Sequence, residues 1–185
     1  FRNITRILSE TLGVARASIW KLTGDGKTTC LSLYDAQNET FSEGLALDVN
    51  LLAGYFSVIE TEKRLYSEDI QNDPRAGEFC ESYLKPMGIT ALVNAGIFID
   101  GRLYGVLSGE HTGGKRKWFA DEEAFLSSLA SFTALVVVSD AQKQAEEKLR
   151  KSEERLNKIL SVVPDMVSVH DCDMNIVYSN WNGFA

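Results

Sequence analysis

One stretch decides the fold of this chain, residues 86–125, which read PMGITALVNAGIFIDGRLYGVLSGEHTGGKRKWFADEEAF. Two apolar runs, residues 91–99 and 103–107, lie on either side of Asp100 and Gly101. An Asp-Gly pair accepts the two positive φ angles of a type I′ turn, so the pattern predicts a tight β-hairpin. The chain then passes two adjacent glycines and enters a helical pattern near Asp121.

Short sequence motifs in this stretch and in the residues before it occur in an order that is typical of one family. They are DPR at residues 73–75, YLKPMGI at 83–89, GRLYGVLSGEH at 101–111, Trp118, and EEAF at 122–125. In this order they resemble the C-terminal half of a GAF domain, of the subtype found in bacterial multidomain signalling proteins. The resemblance implies a sensory module, and it does not identify the signal.

The remaining N-terminal residues complete an α+β domain. Apolar periodicity and turn residues predict a helix over residues 1–12, strands at 17–22 and 28–34, a weaker strand or loop at 41–47, a helix from Asn50 to Thr61, a short strand at 65–67, and a helix at 76–84. With the hairpin, they predict a GAF-like central antiparallel sheet with helices on both faces. We assign residues 1–140 to this sensory domain.

The helical pattern near Asp121 continues for about forty residues, with apolar residues at heptad a and d positions. Leu149, Leu156 and Ile159 form the clearest seam, and charged residues flank it. This pattern predicts a long C-terminal coiled-coil helix, with residues 141–163 as the signalling linker. A parallel homodimer is the simplest cover for the seam. The alternative is a single helix that packs on its own domain or is exposed where a following domain is missing.

The last residues contain a second set of sequence motifs, SEER at 152–155, VPDMV at 163–167 and NIVYSN at 175–180. They resemble the opening of a PAS domain, of which residues 164–185 would be an incomplete N-terminal fragment. Because a two-stranded hairpin is marginal alone, we expect residues 166–185 to be poorly ordered or to pair with another chain. The GAF–PAS order implies a sensor histidine kinase as the parent protein, with a diguanylate cyclase or a transcriptional activator as alternatives.

The composition argues against several partners. Nineteen Lys+Arg stand against 26 Asp+Glu, giving a net charge of −7, so the basic footprint of a nucleic-acid binder is absent. The basic run at residues 115–117 is interpreted as a solvated loop. No apolar run approaches the ~20 residues of a membrane span, so we expect a cytoplasmic location without direct membrane contact. The three scattered cysteines fit a reducing compartment and offer no metal spacing.

The resemblance also indicates where a ligand would bind. In GAF domains the ligand lies between one face of the sheet and the segments that cover it, here residues 51–59 and 76–84. The candidate pocket residues are Tyr55, Phe56, Phe79, Tyr83, Asn94 and Phe98. The aromatic residues would be either plain core or pocket lining. Asn94 is a polar residue in an apolar strand, so its amide should bond either a loop backbone or a ligand.

Three more specific chemistries fit poorly. The free methionine sulfoxide reductases, which share the GAF fold, cluster their cysteines, whereas Cys30, Cys80 and Cys172 are scattered. The bilin-binding phytochromes carry a Cys-His motif, but here Cys80 falls where their His would stand and Glu81 follows it. The N-K-x-F-D-E pattern of cyclic-nucleotide-binding GAF domains is missing. We therefore predict no catalytic residue, no metal site and no cofactor, and an unknown small ligand.

Together these observations predict a sensory GAF domain that binds a small ligand or a partner and relays the signal through a dimeric helix to PAS and output domains. This fragment is not expected to be an enzyme. The alternative is a ligand-free scaffold that dimerises and spaces its neighbours. A cavity above roughly 300 Å³ beneath Tyr55 and Tyr83 would favour the sensor, and a filled core would favour the scaffold.

Overall fold

The computed structural model of the chain describes residues 1–77, 79–162 and 167–180. The chain divides into two compact units, Phe1–Val137 and Val138–Ala185. The helices of the described residues are α1 (Arg2–Leu12), α2 (Ala53–Glu62) and α3 (Ala120–Val162). The strands are β1 (Arg16–Thr23), β2 (Lys27–Asp35), β3 (Thr40–Ser42), β4 (Ala46–Asp48), β5 (Arg64–Ser67), β6 (Ile89–Ile99), β7 (Arg102–Thr112), β8 (Ser168–His170) and β9 (Ile176–Ser179).

The predicted hairpin is confirmed as β6 and β7. Asp100 has φ 50° and Gly101 has φ 75°, so both turn residues take the positive φ that a type I′ turn requires. The two strands pair from Ile89 opposite Thr112 to the turn. They lie inside an antiparallel sheet of order β3-β2-β1-β7-β6-β5, in which β4 also pairs with β2.

The sheet buries both faces, because successive residues of its strands point to opposite sides. Ala91, Val93, Ala95 and Ile97 of β6 belong to a core that also holds residues of α1 and α3. Leu92 belongs to the core on the other face, beneath α2 and a π-helical turn at Cys80–Leu84. The predicted α+β class, with helices on both faces of an antiparallel sheet, is therefore confirmed.

Two local predictions on the covering segments were wrong. The helix predicted to begin at Asn50 begins at Ala53, after a 3₁₀ turn at Val49–Leu52, so its N-cap is Leu52. The helix predicted at residues 76–84 is divided into a 3₁₀ turn at Pro74–Ala76 and the π-helical turn. A π-helix is rare and is not encoded by apolar periodicity, so sequence patterns do not reveal it.

The basic run before α3 is also more than a solvated loop. The Arg116 side chain is only 18% exposed and pairs with Glu122 of α3 at 2.7 Å. Its guanidinium also donates to the carbonyl oxygen of Gly13, just after α1, at 3.1 Å. The neighbouring Trp118 is buried and donates its indole N–H to the carbonyl of Ser67 at 3.1 Å. These contacts fix the start of α3 on the sensory unit.

In the second unit α3 continues without a break to Val162, which confirms the long C-terminal helix. Leu149, Leu156 and Ile159 are 61%, 57% and 51% exposed in the single chain. The coiled-coil homodimer that would cover them stays a prediction. Among the described residues, α3 is also the one helix that qualifies as a membrane span by length and composition. That is weak support for a span, because part of the helix packs in the core of the first unit.

β8 and β9 pair with each other in an antiparallel hairpin. We expected them to be poorly ordered or to pair with another chain, and this internal pairing differs from that expectation. The Asn180 side chain closes the hairpin, because it accepts the N–H of Val167 at 2.7 Å and donates to the carbonyl of Leu160 at 3.1 Å. No third strand joins them in the described part of the chain. Residues 163–166 and 181–185 of the predicted PAS fragment lie outside the described residues.

Candidate functional site

A small cavity lies between the sheet and the segments that cover it. It is lined by Trp20, Thr28, Leu47, Leu52, Tyr55, Phe56, Phe79, Tyr83, Leu92, Val106, Ser108 and Glu110. The structure thus brings together four of the six candidate residues, Tyr55, Phe56, Phe79 and Tyr83. These four are called the aromatic roof below, since they descend from α2 and from the chain around the π-helical turn.

The rings of the aromatic roof pack against one another. Phe79 and Tyr83 are stacked with their centroids 5.0 Å apart and their planes 6° from parallel. Tyr55 meets Phe56 edge-on at 5.3 Å and lies 5.7 Å from Phe79. Trp20 of β1 contacts Tyr83 edge-on at 6.3 Å. Such stacked and edge-to-face pairs are favourable, so the roof is a packed unit.

Beneath the roof, the sheet presents polar side chains, which form the polar floor: Arg16, Asn94, Ser108 and Glu110. Arg16 of β1 pairs with Glu110 of β7, and Ser108 of β7 pairs with Asn94 of β6. Ser108 and Glu110 share one face of β7 because they are two residues apart. Glu110 is 2% exposed and Asn94 is fully buried.

The Tyr83 hydroxyl joins the roof to the floor. It accepts a hydrogen bond from the Arg16 guanidinium at 2.9 Å and donates one to Oε1 of Glu110 at 3.2 Å. Nε of Arg16 lies 3.4 Å from Oε2 of Glu110. Within the described part of the chain, this Oε2 atom has an ion-pair neighbour but no hydrogen-bond partner.

The environment of the floor disfavours its negative charge. Burial raises the pKa of Glu110, although Arg16 and the Tyr83 hydrogen bond oppose that shift. Burial and the nearby Glu110 charge also raise the pKa of Tyr83 and of Tyr55, so both phenols keep their protons at neutral pH. A positive or proton-donating group beside Glu110 would therefore stabilise the site.

The side-chain amide of Asn94 bonds neither a loop backbone nor a sheet residue that lines the cavity. Its amide donates to the hydroxyl oxygen of Tyr55, in the aromatic roof. The prediction of a loop-backbone partner was therefore wrong. Its Oδ1 atom is buried and has no hydrogen-bond partner among the described residues. Asn94 supports the roof from below and does not itself line the cavity.

Phe98 is not part of the cavity. A register shift between Ile97 and Phe98 interrupts the β6–β7 pairing near the turn. The Phe98 ring lies over Gly96, where a Cβ atom would stand 2.4 Å from it, and Lys63 sits 4.2 Å above the ring. It lines a separate cleft at the sheet edge. The structure thus separates this residue from the other candidates.

The polar floor is the part that sequence reasoning missed. Glu110 lies in the GRLYGVLSGEH motif at residues 101–111, which supported the family resemblance but carried no site prediction. The available signal was alternation, because residues 106, 108 and 110 share a face that begins with an apolar valine and ends with a carboxylate. Arg16 carried no signal of its own, since only the β1–β7 register places it beside Glu110.

The cavity is small. Its volume is about 20 Å³ for the centre of a water-sized sphere, which exceeds the ~10–15 Å³ that one water needs. Pockets for cofactors and drug-sized ligands measure about 300–1,000 Å³. By the criterion set from the sequence, the site is close to a filled core in this conformation.

In this conformation the described lining of the cavity offers no attachment point for a thioether-linked bilin. No cysteine is among the described residues that line the cavity. Cys80 is buried and its thiol donates to the carbonyl of Gln71 at 3.3 Å, while burial raises the pKa of Cys30 to about 11. The closed cavity, at about 20 Å³, is also smaller than a tetrapyrrole. The described residues contain no group of three or more potential metal ligands.

Comparison with known proteins gives one consistent result. The family model of the GAF domain matches residues 1–137. No curated protein matches the chain. Among solved structures, the blue-light absorbing form of the PixJ GAF domain from Thermosynechococcus elongatus is 18% identical, with a TM-score of 0.69 over 82% of this chain and 90% of that one.

Two further structures are similar in fold. The phytochrome photosensory core module of Stigmatella aurantiaca is 13% identical, with a TM-score of 0.67 over 85% of this chain and 36% of that one. A domain from Sinorhizobium meliloti, of a protein assigned as a two-component sensor histidine kinase, is 16% identical, with a TM-score of 0.60 over 78% of this chain and 93% of that one. At these identities the likeness shows the fold. With the family model matching most of its length, the chain belongs to the GAF domain family.

Proposed function

We propose that this chain is the sensory input unit of a bacterial signalling protein, in which a small ligand binds between the aromatic roof and the polar floor. The observation that carries the proposal is Glu110, a carboxylate that is 2% exposed, bonded to the roof through Tyr83 and left with one oxygen that accepts no hydrogen bond in the described chain. Perturbed, buried ionisable groups beside a cavity are typical of functional sites.

A structural role alone explains this arrangement poorly. Removing a carboxylate and a guanidinium from water costs several kcal/mol each, and apolar residues of similar volume are often equally good or better for stability. An unpartnered buried acceptor adds a further ~1–3 kcal/mol. In the described parts of the chain, the unpartnered buried oxygens lie under the roof, which is the place where a ligand would recover part of this cost.

The roof is suited to move. Tyr83 lies on the π-helical turn, and such turns occur frequently at functional sites. A ligand that bonds Glu110 competes with the Tyr83 hydroxyl for the same carboxylate. Binding would then shift the turn and the aromatic roof, provided that the ligand binds the shifted state more tightly than the closed one.

The shift would reach the output through β7 and α3. Glu110 ends the cavity-facing row of β7, and the loop after this strand leads directly into α3. In a parallel dimer, α3 would carry a rotation or register change to the PAS domain and to the output domain, which we propose to be a sensor histidine kinase. A diguanylate cyclase or a transcriptional activator is the alternative output. The fragment itself would act in the cytoplasm without catalysing a reaction.

A second candidate function is supported by the size of the cavity. With about 20 Å³ of free volume, the closed site resembles a core, as expected for a ligand-free scaffold that dimerises and spaces its neighbours. The two candidates differ in one respect: only the sensor requires a compound whose binding depends on Glu110.

The test is a thermal-shift screen with a chemically mixed library of cationic, neutral and anionic small molecules, because binding to the native state raises Tm by mass action. The sensor predicts at least one compound that stabilises the wild type and the Glu60→Gln control, but not Glu110→Gln. Glu60 is an exposed residue of α2, outside the cavity. Absence of any Glu110-dependent compound would favour the scaffold.

The relay has its own test in the parent protein. Deletion of one residue between Ala145 and Leu149 shifts the heptad register and should uncouple the signal from the output. Deletion of seven residues, 143–149, removes a whole heptad and keeps the register, so it should preserve coupling. Equal outputs of the two deletions would contradict the relay through α3.

A further inference from the structure

The cavity carries one charged side chain among its described lining residues, the carboxylate of Glu110. We propose that the ligand of this site is a small primary ammonium ion, held by the Glu110 carboxylate beneath the aromatic roof. This inference rests on the proposed ligand-binding function and adds the chemical class of the ligand.

The lining favours a cation over an anion. Five aromatic residues line the cavity, and aromatic rings attract positive charge at their faces: Tyr55, Phe56, Phe79, Tyr83 and Trp20. One face each of Phe79 and Tyr83 is already covered by their mutual stack. Among the described residues, the cationic group that contacts Glu110 is the Arg16 guanidinium, which is not part of the lining and already bonds Tyr83 and pairs with Glu110. An anion would meet the Glu110 charge without a free cation to hold it.

The polar floor has acceptor atoms that could receive further hydrogen bonds, so it favours a ligand with N–H donors. Oε2 of Glu110 accepts no hydrogen bond in the described chain. The hydroxyl oxygen of Ser108, two residues away on the same face of β7, has lone pairs that can accept a second bond. A primary ammonium group carries three N–H donors and no acceptor, as the lysine head group does. A metal ion is less suited, because one carboxylate in an aromatic lining cannot supply six oxygen ligands.

Burial supports the same choice of charge. The ionised form of Glu110 is disfavoured by its surroundings, which raise its pKa. A bound cation would stabilise that ionised form directly. The available volume of about 20 Å³ accommodates a group of the size of ammonium. Both carboxylate oxygens of Glu110 are covered in this closed conformation, so a ligand reaches them only when the roof opens.

The experiment uses three probes of similar size and different charge: methylammonium chloride, methanol and sodium formate. Thermal unfolding of the 185-residue chain is followed at constant ionic strength, balanced with NaCl. At ten times its Kd, methylammonium should raise Tm by about 4 °C in a saturable way, whereas methanol and formate should not. Glu60→Gln should keep this shift, and Glu110→Gln should weaken binding at least tenfold.

The outcomes separate the ligand class from the proposed function. An equal or larger shift with formate or methanol in the wild type overturns the ammonium assignment, and this comparison needs no variant to fold. A methylammonium shift that survives in Glu110→Gln places binding elsewhere and also overturns it. If methylammonium has no effect while another library compound shows Glu110-dependent stabilisation, the class is wrong and the sensor stands. If no compound does, both are rejected.

Discussion

Replacing Tyr83 by Phe removes a single oxygen atom and keeps the aromatic ring. The lost hydroxyl accepts from Arg16 at 2.9 Å and donates to Glu110 at 3.2 Å. The retained ring stacks on Phe79 at 5.0 Å and meets Trp20 edge-on at 6.3 Å. The substitution therefore isolates the polar link between the aromatic roof and the polar floor from the packing of the roof.

The expected loss follows from these contacts. A hydrogen bond to a charged group contributes about 1.5–3 kcal/mol, and the Tyr83 hydroxyl makes two. The two bonds do not add in full, because Arg16 and Glu110 remain 3.4 Å apart and can close on each other. We expect a fall of about 3 kcal/mol in the free energy of unfolding. At roughly 3 °C per kcal/mol, Tm should decrease by about 9 °C.

The assay is urea unfolding followed by tryptophan fluorescence, with Tyr34→Phe as the matched control. Tyr34 is 6% exposed and packs on Phe41 at 4.9 Å, but its hydroxyl makes no hydrogen bond within the described chain. The control should change by less than about 0.5 kcal/mol. If the free energy of unfolding falls no more in Tyr83→Phe than in the control, the hydrogen bonds between roof and floor do not stabilise the fold. That result would contradict the prediction. A double-mutant cycle with Glu110→Gln should show a coupling of at least ~1 kcal/mol.

Three further predictions concern the rest of the chain. Asp73 pairs with Arg75 at 2.9 and 2.6 Å, which lowers the pKa of Asp73 to about 2. Its stabilisation is complete above the usual value of 3.8 and is lost as the pH falls towards about 2. Asp73→Asn should therefore lower the free energy of unfolding by about 1–2 kcal/mol at pH 7. In urea titrations, the variant should also lose less stability than the wild type as the pH falls from 3.8 towards about 2. Iodoacetamide should label the exposed Cys172 long before the buried Cys30, whose pKa is raised to about 11; equal rates in peptide mass spectrometry would contradict this. Leu149→Glu, in the heptad seam, should weaken self-association at least tenfold in analytical ultracentrifugation. An unchanged dimer would contradict the predicted coiled coil.

Much of the fold could be predicted from the sequence because it depends on the properties of residues close together in the chain. The turn at Asp100 and Gly101 could be assigned because an Asp-Gly pair fits the positive φ angles found there. The helix predicted over residues 1–12 ends at Leu12, and Gly13 follows it with φ 57°, the left-handed conformation that glycine favours at helix ends. The four aromatic residues of the roof were found because they recur on covering segments that the family resemblance identified. Each of these features depends on neighbours in the sequence.

The features that sequence reasoning missed depend on residues far apart in the chain. Arg16 and Glu110 are brought together by the register of β1 and β7. Arg116 belonged to a basic run, and only the folded chain shows that it bonds the carbonyl of Gly13 and the carboxylate of Glu122. The π-helical turn and the register shift before Phe98 are single-residue irregularities, which periodic patterns average away.

The two faces of β6 and β7 provide an internal comparison for the role of the polar floor. Both faces are buried by helical segments, and both are built from alternate residues of the same two strands. The face beneath α1 and α3 uses residues such as Val93, Ile97 and Leu107 and buries no charged side chain of these strands among the described residues. The other face places Asn94 and Glu110 at equally buried positions. On the face beneath α1 and α3 the described residues of the two strands pack without a buried charge, and apolar residues at the depth of Asn94 and Glu110 would avoid the cost of unpartnered oxygens. Among the described residues the unpartnered buried oxygens, Asn94 Oδ1 and Glu110 Oε2, lie on the cavity side, which is more readily explained by binding than by stability.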